Sequence, residues 1–154
     1  MAVKRTAIIQ RLETILKEIQ GSGGYYTNFG QRVHVRRVKP FDSDAELPAI
    51  NILYGTEEPE IIDPALSQGL KGIWTRNLPV TIVAMCSAAT PAADVDKMEA
   101  DIQKKIGTDQ GFNGLALQTN PVNVQFFDAH EENRTAGVAV RIIIQYRTNQ
   151  YEES

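Results

Sequence analysis

The chain has 154 residues, 42% of them hydrophobic and 23% charged, and a formal net charge of −3. A chain of this length forms one domain with a core of its own, and this balance excludes wholesale disorder. No apolar run approaches the ~20 residues that a membrane-spanning helix needs, and the single cysteine, Cys86, excludes an intrachain disulfide or a cysteine-based metal cluster.

Charge is unevenly spread. Residues 1–39 carry eight basic and two acidic side chains, a net +6, whereas residues 40–154 carry eight basic and 17 acidic ones, a net −9. An acidic whole argues against a sequence-reading nucleic-acid binder, which ordinarily shows a basic domain. Such asymmetry suits an oligomer, because it offers surfaces of opposite sign. Lys4 and Arg5 precede no continuous apolar stretch, so no secretory signal is expected and the cytoplasm is the expected compartment.

The first element is a helix: Ile8, Leu12, Ile15, Leu16 and Ile19 recur at the spacing that puts them on one face. Gly21-Ser22-Gly23-Gly24 ends it. That run follows a helix and lacks Lys-Ser/Thr, so it is a connector and not a phosphate loop. Val33, Val35 and then Val38 fall in a short β-like run whose other positions are His34, Arg36, Arg37 and Lys39, so one face is wet or meets a partner. An acidic, turn-rich connection from Pro40 to Pro48 leads into a second strand, Ala49–Tyr54, closed by Gly55. Residues 56–72, with Pro59, Pro64, Gly69 and Gly72, hold no pattern of a buried element and read as an arm.

From Ile73 to Met85 the alternation of Val80, Ile82 and Ala84 predicts a strand, with Pro79 placing that end at an edge or bend. Thr90 and Pro91 open a second helix whose stripe is Val95, Met98, Ile102 and Ile106, with Lys104 and Lys105 in the last turn and Gly107 as the C-cap. After a loop from Gly107 to Gly114 come two strands. In the first, Val122, Val124 and Phe126 alternate with Asn123, Gln125 and Phe127. The second, about ten residues long against a norm of ~5–6, carries Val138, Val140, Ile142, Ile144 and Tyr146 on one face. The expected order is α–β–β–(arm)–β–α–β–β in a single domain over 1–154. The fold class is α+β: a mainly antiparallel sheet with two helices on one face and an extended loop or hairpin arm at about 56–72.

No reaction chemistry stands out. His34 sits among arginines and His130 in an acidic turn, with no metal-ligand spacing. Cys86 lies between strand residues, where an inert buried thiol is expected, and no nucleophile-elbow motif occurs. Glu57 with Glu58, and Glu131 with Glu132, are adjacent loop charges and not a separated acid–base pair. No catalytic residue, metal ligand or cofactor is therefore expected. Tyr25, Tyr26 and Phe29 near Arg32, Arg36 and Arg37 leave single-strand nucleic-acid binding as an alternative, alongside a small α+β ligand-binding or enzymatic domain.

Three local features and the element order carry a resemblance. They are the proline-led strand Leu47-Pro48-Ala49-Ile50-Asn51-Ile52-Leu53-Tyr54, the strand–helix unit Leu78–Ile106, and a closing hairpin in which the acidic turn Asp128–Asn133 feeds Ile142-Ile143-Ile144-Gln145-Tyr146-Arg147. In this layout the chain resembles the tail terminator (minor tail protein U-like, tail-completion) proteins of long-tailed bacteriophages, over nearly its whole length. The resemblance implies a ring, typically of six subunits, that caps the head-proximal end of the tail tube and stops its polymerisation. Its implied partners are copies of itself, the tube protein, the neck or head-completion protein, and genomic DNA passing through without sequence-specific contact. No membrane is involved, and the location would be the virion tail, after assembly in the host cytoplasm. Another ring subunit of the head–tail joining region is the close variant. On this reading Arg36 and Arg37 meet Glu57, Glu58 or Glu60 of a neighbour, and Trp74 is an interface anchor or a core cap. Asp128, Glu131, Glu132 and Arg134 then contact the tube or neck.

Overall fold

The computed structural model describes residues 4–19, 32–36, 48–55, 58–61, 73–87, 92–108, 114–127 and 135–149. The elements run α1 (Lys4–Leu16), β1 (Val33–Val35), β2 (Ala49–Tyr54), β3 (Glu58–Ile61), β4 (Ile73–Ser87), α2 (Ala92–Thr108), β5 (Gln118–Phe127) and β6 (Thr135–Asn149). The class is α+β, with one six-stranded sheet ordered β1-β2-β4-β6-β5 and β3 added beside β4.

β4 and β6, 15 residues each, pair antiparallel from end to end, Ile73 opposite Asn149 and Ser87 opposite Thr135. This ribbon is the spine of the molecule. Side chains alternate across a strand, so the register stacks Leu78 on Ile144, Val80 on Ile142, Ile82 on Val140 and Ala84 on Val138. All eight are buried. β2 adds Ile50 and Ile52 to the same face, opposite Ala84 and Ile82.

Both helices cover that face. Ile8, Leu12, Ile15 and Leu16 of α1, and Val95, Met98, Ile102 and Ile106 of α2, join the strand residues in one apolar cluster, with Tyr146 wholly enclosed. The helical spacing of the sequence is thus the spacing of the contact face. The end of α1 tightens into single turns, with Glu18 N–H donating to Ile15 O and Ile19 N–H to Leu16 O, each at 3.1 Å. That turn tucks Ile19 under the helix and into the core. Lys4 Nζ donates to Arg147 O at 2.6 Å, tying the start of α1 to β6, and Lys105 pairs with Glu18 between the two helices' ends.

Three sequence expectations need correction, and one alternative is decided. Of the loop or hairpin expected at 56–72, Glu58–Ile61 is a strand that pairs antiparallel with Trp74–Asn77, because β4 outruns β2 and leaves those residues a free edge. Residues 62–72 of the arm lie outside the described residues. Pro79 is not at the end of the sheet but inside its central strand. Its carbonyl accepts from Gly55 N–H at 3.3 Å, so its nitrogen faces the junction where β2, ending opposite Val80, gives way to β3, starting opposite Asn77. A missing donor costs little there. α2 runs through Gly107 to Thr108, whose Oγ1 donates to Lys105 O at 2.7 Å. β6 has 15 residues where about ten were expected, since β4 supplies pairing for all of them. The proposed start of α2 at Thr90 and Pro91 and the connector at Gly21–Gly24 lie outside the described residues.

Candidate assembly surfaces

A sheet covered by helices on one side has a second face. By register, Leu53 of β2, Val83 and Met85 of β4, and Ala139, Arg141 and Ile143 of β6 lie on it. Val83, Met85 and Ile143 are half-buried, and Leu53 and Arg141 are exposed. Among the described residues no helix lies across this face. Its far end is polar: Asn77, Gln145 and Gln118 follow one another across three strands. Gln118 Nε2 donates to Gln145 Oε1 at 2.6 Å, while the buried Asn77 Oδ1 has no partner among the described residues. The face is therefore neither a finished core nor an ordinary solvated surface.

The edge made by β1 and β3 carries the predicted basic and acidic residues. β1 runs parallel to β2, held by Ile50 N–H to Arg32 O and Arg36 N–H to Ile52 O, both 2.8 Å. Val33 and Val35 turn toward the core cluster, and His34 lies opposite Asn51. At Arg36 the backbone swings to φ 53°, a left-handed conformation that costs a non-glycine residue about 1–2 kcal/mol. The exposed guanidinium carbon sits 5.2 Å from the centroid of the Tyr54 ring, a cation–π contact worth about 0.5–1 kcal/mol at an exposed site. Arg36 is thus a positioned charge, not a loose one. Glu58 and Glu60 lie in β3, on the same side of β4 as β2. Basic and acidic candidates share one edge of the subunit. Trp74 stands in β4 between Ile61 and Thr148. Arg37, Glu57, Asp128, Glu131, Glu132, Arg134 and His130 lie outside the described residues, as do Tyr25, Tyr26 and Phe29.

The opposite edge is β5. A bulge between Pro121 and Asn123 shifts its register, which takes Val122 out of the alternation that the sequence suggested. Val124 and Phe126 then stand opposite Val140 and Val138, on the helix side of the sheet. They remain 36% and 51% exposed, because α2 packs over β6 and β4 and stops short of β5. Leu117 and Val122 are also exposed. Sequence reasoning placed Val122, Val124 and Phe126 in a strand but missed their exposure, and did not single out Leu117. A signal was present, since residues 110–127 contain no charged side chain in a chain that is 23% charged.

Chemistry is sparse. Cys86 is buried, with Sγ donating to Ala136 O at 3.3 Å. Among the described residues no group of three or more His, Cys, Asp or Glu side chains is placed to hold a metal ion, and no helix is long and apolar enough to cross a membrane. Comparison with family models and with curated proteins gave no match.

Proposed function

We propose that this chain is a structural subunit that works by docking against copies of itself and against a stacked protein cylinder. The specific reading is a tail-terminator-type ring, hexameric, that caps the head-proximal end of a long-tailed phage's tail tube, stops its growth and joins it to the neck. One observation carries it: the sheet has helices on a single face, and apolar residues of the other face and of β5 stay partly in water. Apolar side chains left partly in water on a sheet face and at a sheet edge suit contact with another protein surface. The element order is the layout on which the family-level resemblance rests, and the arm at 56–72 is where the chain departs from that family.

A closed ring needs two different complementary surfaces on each subunit. Arg36, fixed over Tyr54, contributes charge to one such surface; Glu58 and Glu60 lie on the same edge, so the neighbour meets that edge with a different surface. DNA passing through the hole must not be held, and the excess of acidic side chains over residues 40–154 repels phosphate. Neither a cofactor nor bond-making chemistry belongs to this reading.

Negative-stain imaging of the purified chain, alone and mixed with tail tubes of the same phage, tests it. The expected result is rings, free or seated on one end of each tube. Bare tube ends beside unassembled chain, with turnover of a small molecule, would instead indicate a small α+β enzyme.

A further inference from the structure

The two edges of the sheet are not equally protected. Isolated edge strands are kept from pairing with other chains by shortness, proline, charge or a bulge. The β1 and β3 edge has all but the last. β1 is three residues long and ends at the turned backbone of Arg36, and β3 is four residues with Pro59 between Glu58 and Glu60. β5 is ten residues long, and its first half carries Pro121 and the bulge. Its second half, Asn123–Phe127, has none of these devices. It is uncharged, its outer backbone groups pair with no other described strand, and Val124 and Phe126 stand exposed beside it.

We propose that Asn123–Phe127 pairs antiparallel with the same segment of a second copy of this chain, about a two-fold axis at Gln125. The occupant follows from the asymmetry of the edges. A head-to-tail sheet needs two open edges, and the described strands leave one, so like meets like; that contact closes at two copies. The segment is self-complementary in this register. Val124 lies opposite Phe126 of the partner subunit, twice, forming aliphatic–aromatic cross-strand pairs on the helix side. Gln125 lies opposite its own symmetry mate, where amides can hydrogen-bond. The site also lies in the charge-free stretch of an acidic chain, where two copies of net charge −3 approach without like charges at the contact. A foreign charged strand would bury an unpaired charge against Val124 and Phe126.

This pairing is separate from the ring contact, which is heterologous, and it describes the free subunit or the meeting of two rings. The test uses the full chain with Gln125→Cys, and with Asp96→Cys on the exposed face of α2 as the collision control. Buried Cys86 does not compete. Under mild oxidation Gln125→Cys should form a disulfide-linked dimer at least about tenfold faster than Asp96→Cys, because paired strands hold the two thiols at high effective concentration. Adding Val124→Lys should abolish that advantage and lower the mass of the otherwise unmodified chain in light scattering, with an unchanged circular dichroism spectrum. Equal cross-linking rates for the two cysteines would overturn the pairing, as would an unchanged mass for Val124→Lys. Rings that persist on tubes with Val124→Lys leave the ring reading standing, whichever way the cross-linking falls.

Discussion

The two faces of the sheet share their strands, and their chemistry diverges residue by residue. Along β6, Val138, Val140, Ile142, Ile144 and Tyr146 lie under two helices and are closed to water, while Ala139, Arg141, Ile143, Gln145 and Arg147 point the other way and keep some of their surface wet. Ile142 and Ile143 are chemically identical neighbours, and only the helices distinguish their surroundings. The covered face is where folding free energy comes from. The open face and its edges are free to be used for something else, and their half-buried apolar residues suit a use completed by another protein surface.

Substitutions at paired positions sharpen that contrast. Tyr146→Ala, at a fully enclosed side chain, should cost about 3–5 kcal/mol, read as a fall in the urea midpoint with an unchanged slope. Ile142→Ala should cost about 2–5 kcal/mol, whereas Ile143→Ala, with part of its surface already wet, should cost about 1 kcal/mol. Equal losses at the two isoleucines would mean that the second face is as well covered as the first. Reversing Arg36 and Arg37 to Glu should leave stability within about 1 kcal/mol while weakening ring assembly in sedimentation. Unchanged oligomer size would remove Arg36 and Arg37 from the contact. Pro79→Ala should change the melting midpoint least, within about 0.5 kcal/mol, because the nitrogen concerned faces the gap between β2 and β3.

Much of this contrast was legible in the sequence. The stripes Ile8–Ile19 and Val95–Ile106 and the alternation in β4 and β6 named most of the core, though not Ile9, Leu78 or Ala136, because period 3.6 and period 2 follow directly from helix and strand geometry. β3 was illegible for a physical reason: Glu58-Pro59-Glu60-Ile61 has poor strand propensity, and it is extended because β4 offers it an edge. The parallel pairing of β1 with β2 rests on three residues and a long connection, too little for a local pattern to specify. Of the candidate contacts, Arg36 was visible as a charge, yet its left-handed backbone and its seat over Tyr54 depend on β2 lying beside β1. The exposed half of β5 was visible as an alternation. Alternation gives a face, and only the position of α2 decides whether that face is covered.

Tube elongation tests the central claim most directly. Under the proposed reading, tail-tube protein of the corresponding phage would be polymerised with rising amounts of this chain, and tube lengths measured by electron microscopy. Lengths should fall as the ratio of chain to tube protein rises, with every arrested end capped by a ring. An unchanged length distribution at saturating chain, with the chain left unbound in the supernatant, would contradict an assembly role at the tube end.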